Sequence, residues 1–497
     1  MDYQLLFNRY KSQHIGRKQT QQRLLYNCLR EAILSGQLLA GAQLMGSRSL
    51  AQELKVARNT VLYAYEHLAT EGLLQTRGRQ TFVQHLAPIK AEAVIAPLNL
   101  APVTLEPVTL RPAASALSPR AQCSQLQPDS SENLIAFMPG VPALAEFPIH
   151  VWRRYVERAW RQITYRQLDY GEAAGEPELR AAIAEHLTST RGVRCSAEQV
   201  FITDGTQQSL DLCAHALASA GDCAWIENPG YTGAYQALKA AELNVRGIAV
   251  DEQGMAPSAE DWAQHSPKLI YLTPSHQFPL GSVMSVERRM ALIESAKARG
   301  AIIIEDDYDS EFRRDGSPLP AMQGLVEDAP VVHLGTFSKT LFPALRIGFM
   351  VLPKGLVAPI TAMMHDLFPR GRSADQLALA EFLRSGQFAI HLRKMRRLYA
   401  ARRDALVAAI EKHLGDSVTI CGGSSGIHIT IELPESLVDA DISKAAAAKN
   451  IAVPALSKLA TGPVLRNGLM LGYAQVPEQD MERYILVLAG IIKRAMG

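Results

Sequence analysis

The spacing of apolar residues in the first 85 positions predicts three helices and a hairpin. Over residues 25–33 apolar side chains recur three and four positions apart, which is the spacing of one buried helix face. Ser47 can cap a short second helix, and a third helix is predicted over residues 57–71. Two β-prone runs, 73–76 and 81–83, flank a basic glycine-containing turn, which predicts a two-stranded wing.

Two short helices joined by a tight turn can place the second helix in the major groove of DNA. The first residues of the predicted third helix are Arg58, Asn59 and Thr60, whose side chains can reach base edges or phosphates. Arg48, near the start of the preceding helix, is expected to meet the DNA backbone. Arg79, in the wing turn, is expected to reach a phosphate or the minor groove.

Charge is distributed unevenly between this head and the rest of the chain. The 497 residues carry a formal charge of +2, but residues 1–85 hold eleven Lys/Arg and five Asp/Glu, a net +6 that leaves −4 for the remainder. A basic head on a slightly acidic body indicates a polyanionic partner. A solvated surface, or a three-helix packing module with surface arginines, would carry the same charge, so the helix pattern is what favours DNA.

Residues 86–133 contain seven prolines, few charges and no sustained periodicity, which predicts an extended interdomain linker. From residue 134 to 497 short apolar runs alternate with helical stretches, as in an α/β domain with a parallel sheet. The predicted strands are 201–203, 224–227, 269–273, 301–305 and 331–334. In such sheets ligands bind at the carboxyl ends of the strands.

Polar residues of particular kinds follow these strands. Residues 203–208 form a small-residue turn leading into a helix, where free N–H groups suit a phosphate. Tyr231 follows one strand, and the acids and phenol of residues 305–308 follow another. Lys339 follows a third strand between small hydroxyl residues, with Arg346 seven positions on. A lysine in this setting suits an imine with an aldehyde cofactor whose phosphate the hydroxyls and Arg346 hold.

Together these residues resemble the fold type I enzymes that use pyridoxal 5′-phosphate (PLP), the aspartate aminotransferase superfamily, over about residues 134–497. The resemblance implies that Lys339 forms the Schiff base, Asp306 pairs with the pyridine nitrogen and Tyr308 bonds the phenolic oxygen. It implies that Tyr231 stacks on the ring, although simple strand-end packing is the alternative for this tyrosine. The phosphate-binding residues it implies are Gly205, Thr206, Ser338 and Arg346.

Two further residues are carried over from the same resemblance. Tyr170 would reach the phosphate of the neighbouring subunit, or else pack within its own. Arg466 would clamp an effector carboxylate, or else form a surface ion pair. Asp307 is the alternative to Asp306 as the nitrogen partner, and His276 either lines the pocket or closes a turn.

The segment from Ser47 to Val83 resembles the GntR-type winged helix, and the order of head, linker and body resembles the MocR subfamily of GntR-type transcriptional regulators. The motifs that carry this resemblance are DYGEAAGEPELR, TPSHQFPLG, IEDDYDSEF and GTFSKTLFPALRIGFM. It implies domains at 1–85, 86–133 and 134–497, a double-stranded DNA operator, and a homodimer arranged head to tail.

The resemblance also implies that PLP, or an amino compound captured as an external aldimine, is the signal. The alternatives are an active PLP-dependent aminotransferase with an appended DNA-binding domain, and a sensor of PLP alone. We expect no physiological turnover, with residual aminotransferase activity left open. No long apolar run, signal-peptide pattern or metal-type cysteine spacing is present, so we expect a cytoplasmic protein without a membrane span or metal site.

Overall fold

A computed structural model of the chain describes residues 2–13, 20–78, 80–84, 136–314, 319–367 and 371–496. The chain divides into two compact units, Met1–Leu110 and Arg111–Gly497, which are described separately below. The predicted linker, 86–133, lies outside the described residues, so the three domain boundaries stay predictions.

The N-terminal unit contains the three predicted helices and the predicted wing. Its elements are α1 (Tyr3–Gln13), α2 (Gln21–Leu34), α3 (Ser47–Leu54), α4 (Arg58–Thr70), β1 (Gln43–Leu44), β2 (Leu74–Arg77) and β3 (Gln80–Val83). The strands form an antiparallel sheet in the order β1-β3-β2. The helical and wing predictions are therefore confirmed, and the fold of this unit is a winged helix.

Two details of this unit differ from the prediction. Helix α1 was not predicted; it buries Tyr3 and Phe7 in the core of the unit. The predicted cap at Ser47 is wrong, because Ser47 is already the first residue of α3 and the capping position is held by Gly46 without a side-chain hydrogen bond. Ala57, which precedes α4, likewise offers no capping side chain.

The C-terminal unit is built on an eight-stranded sheet. Its strands are β4 (Val200–Thr203), β5 (Cys223–Asn228), β6 (Asn244–Asp251), β7 (Gly254–Met255), β8 (Leu269–Leu272), β9 (Ile302–Asp307), β10 (Val331–Thr336) and β11 (Gly348–Val351). They are ordered β4-β11-β10-β9-β8-β5-β6-β7. β11 is antiparallel to both of its neighbours and β7 to β6, and the remaining pairs are parallel. All five predicted strands are confirmed within two residues at their ends.

Helices surround this sheet, and a smaller antiparallel sheet follows it along the chain. The helices are α5 (Ile149–Gln162), α6 (Tyr165–Leu168), α7 (Pro177–Arg191), α8 (Thr206–Leu217), α9 (Thr232–Ala240), α10 (Ala259–Gln264), α11 (Val286–Arg299), α12 (Met322–Leu325), α13 (Lys354–Leu367), α14 (Ser373–Arg384), α15 (Gln387–His413), α16 (Asp439–Ala447) and α17 (Glu478–Met496). The smaller sheet has the order β12 (Thr419–Cys421), β13 (His428–Glu432) and β14 (Gly468–Gly472). Among the helices of the described residues, none has the length and apolar character that a membrane crossing requires.

Buried charges fix the carboxyl end of β9. The Glu305 carboxylate accepts a hydrogen bond from the Met322 N–H at 2.8 Å and lies 3.1 Å from His333 Nδ1. Although burial alone would raise the pKa of Glu305, its bonds and the charges of His333 and Arg289 lower it to about 2. Arg289, fully buried, also donates to the Pro274 carbonyl beyond β8. The network therefore ties β9 to its neighbours next to the predicted site.

Candidate functional site

Lys339 lies in the turn that follows β10, and its amine faces the segment at the start of the described C-terminal unit. Lys339 Nζ donates a hydrogen bond to the Gly140 carbonyl at 2.7 Å. Burial lowers the pKa of the amine, against the opposing charges of Asp309 and Asp306. Gly140 has φ +72°, and a Cβ there would lie 2.8 Å from Nζ, so glycine leaves the room that the lysine occupies. The lysine is partly buried rather than an exposed surface residue.

Asp306 and Asp307 end β9 and have different partners. Asp307 accepts a hydrogen bond from Arg191 Nε at 2.8 Å, and both side chains are buried. Asp306 accepts one from the Tyr271 hydroxyl at 2.8 Å through Oδ2, whereas its buried Oδ1 has no partner among the described residues. Burial raises the pKa of Asp306 to about 7. Asp307 Oδ1 likewise has no hydrogen-bond partner among the described residues, but Asp307 is ion-paired with Arg191. Asp306 differs in that its partner is a neutral hydroxyl, so it is the carboxylate whose charge a cationic ligand can balance.

Backbone N–H groups, hydroxyls and a guanidinium come together at the start of α8 and the end of β10. Gly205 caps α8 with φ +106°, and a Cβ there would be 3.7 Å from Arg346 Nη1. Thr206 is the first residue of α8. The Ser338 N–H donates to Thr336 Oγ1 at 3.2 Å, which folds this turn back on the strand end. A helix N-terminus facing an arginine is suited to an anion.

Tyr308 is held by His276. Its hydroxyl donates to the His276 carbonyl at 2.9 Å and lies 3.1 Å from Nδ1 of the same histidine. His276 Nδ1 is in turn 3.0 Å from Asp309 Oδ1, and both side chains are buried. Tyr231 packs edge-on against Phe278, with ring centroids 5.8 Å apart. The loop 274–281 therefore lines the same region as Tyr308 and Tyr231, which places His276 beside the candidate pocket.

Tyr170 and Arg466 are not drawn into this group. Tyr170 is 80% exposed, so it does not pack within its own subunit. Arg466 Nη1 donates to Glu432 Oε1 at 2.7 Å, the ion pair that was the alternative for this residue. Arg466 precedes the first residue of β14, Gly468. The last residue of that strand, Gly472, is the one that lies against Met138 and Pro139, next to Gly140. An effector role for Arg466 stays a prediction.

The predicted DNA-contacting residues divide by exposure. Arg48, Arg58 and Asn59 are exposed, and Arg58 Nε lies 3.5 Å from Ser47 Oγ at the start of α3. Thr60 is only 5% exposed, because it falls on the face of α4 that packs into the core of the head. Thr60 is therefore corrected from a candidate contact to a core residue. Arg79 lies outside the described residues.

Comparison with known proteins assigns both parts of the chain. Residues 143–488 match the family model of aminotransferase class I and II, and residues 21–83 match that of the bacterial regulatory proteins of the gntR family. The chain is 39% identical to the probable rhizopine catabolism regulatory protein MocR of Rhizobium meliloti over 93% of this chain and 92% of that protein.

The chain belongs to the MocR family of GntR-type transcriptional regulators.

Other relatives of this MocR-type regulator point the same way. The pyridoxine biosynthesis transcriptional regulator PdxR of Corynebacterium glutamicum is 29% identical over 92% of each chain. The α-aminoadipate aminotransferase LysN of Thermus thermophilus, solved with N-(5′-phosphopyridoxyl)-L-leucine, matches with a TM-score of 0.71 and 26% identity, covering 77% of this chain and 98% of that one. The C-terminal unit therefore has the fold type I aminotransferase architecture, in a chain whose function is transcriptional regulation.

The residues present fit PLP, the cofactor that this architecture implies. The unpartnered Oδ1 of Asp306 suits a pyridine N–H, and the lysine amine with a lowered pKa suits an aldehyde. The Gly205–Arg346 corner suits a phosphate. PLP bound there would supply an aldehyde carbonyl that an amine can hold covalently.

The sequence patterns did not single out two residues of this site. Gly140 lies about 200 positions before the lysine that it contacts, and Tyr271 sits inside an apolar strand where a tyrosine looks like core packing. Asp309 is part of the motif IEDDYDSEF, so its acidic character was visible, but its contact with His276 depends on the fold.

We expect Asp306→Asn to lower PLP affinity by about 10–100-fold, because the neutral amide cannot balance a protonated pyridine and a charge-assisted hydrogen bond is lost. Fluorescence titration of PLP gives the affinity. The matched control is Asp307→Asn, which should instead lower the free energy of unfolding, since it leaves Arg191 buried without its ion-pair partner. The opposite assignment of the two effects would make Asp307 the nitrogen partner.

Proposed function

We propose that this regulator binds PLP covalently at Lys339 and changes its DNA binding when an amino compound, or PLP itself, occupies the site. The observation that carries the proposal is the buried carboxylate of Asp306, which has an unpartnered Oδ1 and no ion pair among the described residues and lies at the same sheet edge as Lys339. Burying an unpaired acceptor is unfavourable unless a ligand satisfies it. A metabolic enzyme has no need of the winged helix that the same chain carries.

Two relatives support this choice of ligand. LysN was solved with a phosphopyridoxyl compound, and PdxR regulates pyridoxine biosynthesis. An active aminotransferase is the alternative for the C-terminal unit, because the residues that would hold the cofactor are present. We expect binding of the amino compound without turnover in this chain.

We also propose that the C-terminal unit forms a homodimer in which Tyr170 reaches the partner's cofactor phosphate. The support is the exposure of apolar residues around it: Tyr165 is 93% exposed, Leu168 65% and Trp160 60%. Large apolar side chains grouped on a surface are typical of an interaction site. A head-to-tail arrangement of heads and bodies is part of the same proposal, as is a location in the cytoplasm.

Lys339→Ala should abolish covalent attachment of PLP while leaving the fold intact, because no other group is proposed to bond the aldehyde. Borohydride treatment followed by mass spectrometry of the intact chain measures attachment, and circular dichroism checks the fold. Lys354→Ala, which removes an exposed lysine at the start of α13, is the control and should keep attachment. Attachment that persists in Lys339→Ala would refute the assignment.

Arg58→Ala should weaken specific operator binding by roughly 10–100-fold, because a bidentate base contact contributes about 1–3 kcal/mol of discrimination. Gel-shift titration at fixed salt measures this affinity, and PLP binding should not change. Arg23→Ala removes the same charge from the exposed surface of α2 and serves as the control. Equal losses in the two variants would mean that only overall charge matters, and an unaltered affinity in Arg58→Ala would remove it from the interface.

Arg466→Ala should leave PLP and DNA binding near normal and remove the response to an amino acid effector, because the effector carboxylate loses its arginine. The measurement is operator affinity with and without effector. Glu432→Gln is the informative partner variant: it removes the carboxylate that now holds Arg466, so it should preserve or strengthen the response. A full response in Arg466→Ala would exclude carboxylate capture there and favour sensing of PLP itself.

A further inference from the structure

A basic cleft lies in the C-terminal unit between the loop that follows β9, helix α15 and the loop that leads into β13. It has a volume of about 260 Å³. Five arginines line it: Arg313, Arg314, Arg396, Arg397 and Arg403. None of the residues proposed to hold the PLP phosphate is among its lining residues. The cleft is therefore distinct from the Gly205–Arg346 corner.

The arginines of α15 converge because of their helical spacing. Arg396 and Arg403 are seven positions apart and Arg397 is adjacent to Arg396, so all three project toward one side of the helix. Arg314 reaches the cleft from the loop after β9. Guanidinium charges grouped in one place repel one another unless negative charge balances them.

For Arg314, Arg396, Arg397 and Arg403, the described residues supply one ion-paired carboxylate, that of Asp404. Asp404 pairs with Arg314 and, at 3.2 Å, with Arg403. Arg396 Nε donates to the main-chain carbonyl of Glu311, a neutral acceptor. Arg396 and Arg397 have no ion pair with a carboxylate in the described part of the chain, which leaves the cleft with an excess of positive charge.

A residue with a buried hydroxyl also belongs to the wall of the cleft. Ser425 lines it, is only 2% exposed, and its Oγ has no hydrogen-bond partner among the described residues. Arg403 Nε is likewise buried without an acceptor. Gly423 has φ +95°, and a Cβ there would lie 3.0 Å from Arg403 Nη2, so glycine lets this guanidinium lie against the loop. Two buried donors without acceptors indicate that an acceptor-bearing ligand completes the site.

We propose that this cleft is a second anion site of the regulator, which binds the phosphate group of a small phosphorylated molecule. Guanidinium groups and a hydroxyl match the several acceptor oxygens of a phosphate, and more than one arginine is needed to balance its two charges. The small volume of the cleft, about 260 Å³, and the buried serine favour a small molecule over the backbone of DNA. The proposal goes beyond the proposed function and does not depend on covalent chemistry at Lys339.

Inorganic phosphate is the probe, titrated calorimetrically into the full-length, PLP-loaded protein at constant ionic strength. Loading with PLP fills the Gly205–Arg346 corner, so that remaining binding reports on the cleft. We expect saturable binding that Arg403→Ala and Ser425→Ala each weaken by about tenfold, the size typical of a hydrogen bond to a charged group. Arg393→Ala removes an exposed arginine of α15 that does not line the cleft, and it should bind phosphate normally.

Ser425→Ala keeps the test decisive if Arg403→Ala is unstable, because the serine hydroxyl makes no internal hydrogen bond that the variant would break. The proposal is overturned if no saturable binding occurs, if both cleft variants bind as the parent does, or if Arg393→Ala loses as much affinity as they do. It is also overturned if only Arg346→Ala abolishes phosphate binding, which would place the ion in the cofactor corner. Weakened operator binding in Arg403→Ala with unchanged phosphate binding would assign the cleft to DNA instead.

Discussion

The buried carboxylate of Asp306, which has one unsatisfied oxygen and no ion pair among the described residues, is the constraint that the end of β9 must accommodate. Asp306 is buried at the end of β9, where Tyr271 bonds one oxygen and nothing in the described chain bonds the other. Such a group lowers stability, so the strand end that carries it must be fixed by other means. The buried Arg191–Asp307 pair and the bonds to Glu305 provide that fixation on either side of Asp306. These flanking interactions thus hold the end of β9 in place, so that the free oxygen of Asp306 stays available to a ligand.

The fold could be predicted where a local pattern was sufficient. The five predicted strands are buried apolar runs, four of them inside the sheet and β4 at its edge, and the helices of the head have one apolar face. β6 was missed because exposed and buried residues alternate along it, and β11 because the chain returns antiparallel immediately after the lysine turn. Helix α1 was not predicted because only a few of its side chains are buried. Its stability depends on packing against the rest of the head.

The site could be predicted where the strand order brings motifs together, but not where contacts depend on single side chains. Residues that end parallel strands meet at one edge whatever the details, which is why Asp306 and Lys339 could be proposed together. The side of a helix on which a residue lies is harder to predict. Thr60 follows two exposed residues but is buried, because each position along a helix rotates by about 100°. For Arg466 the sequence left two partners open, and the chain itself supplies one of them, Glu432.

The hydrogen bond from Lys339 to Gly140 connects the chemistry of the pocket to the path of the chain. Ala136 and Phe137 are anchored by main-chain bonds to residues 450, 452 and 472, whereas Gly140 is held by the lysine amine. An amine that becomes bonded to a carbonyl carbon has fewer protons to donate, so the Gly140 carbonyl and the incoming cofactor compete for the same nitrogen. PLP held by this amine would therefore weaken the hydrogen bond from Lys339 to Gly140. Gly140 lies only four residues after the first described residue of the C-terminal unit, so the chemistry at Lys339 and the start of that unit share one hydrogen bond.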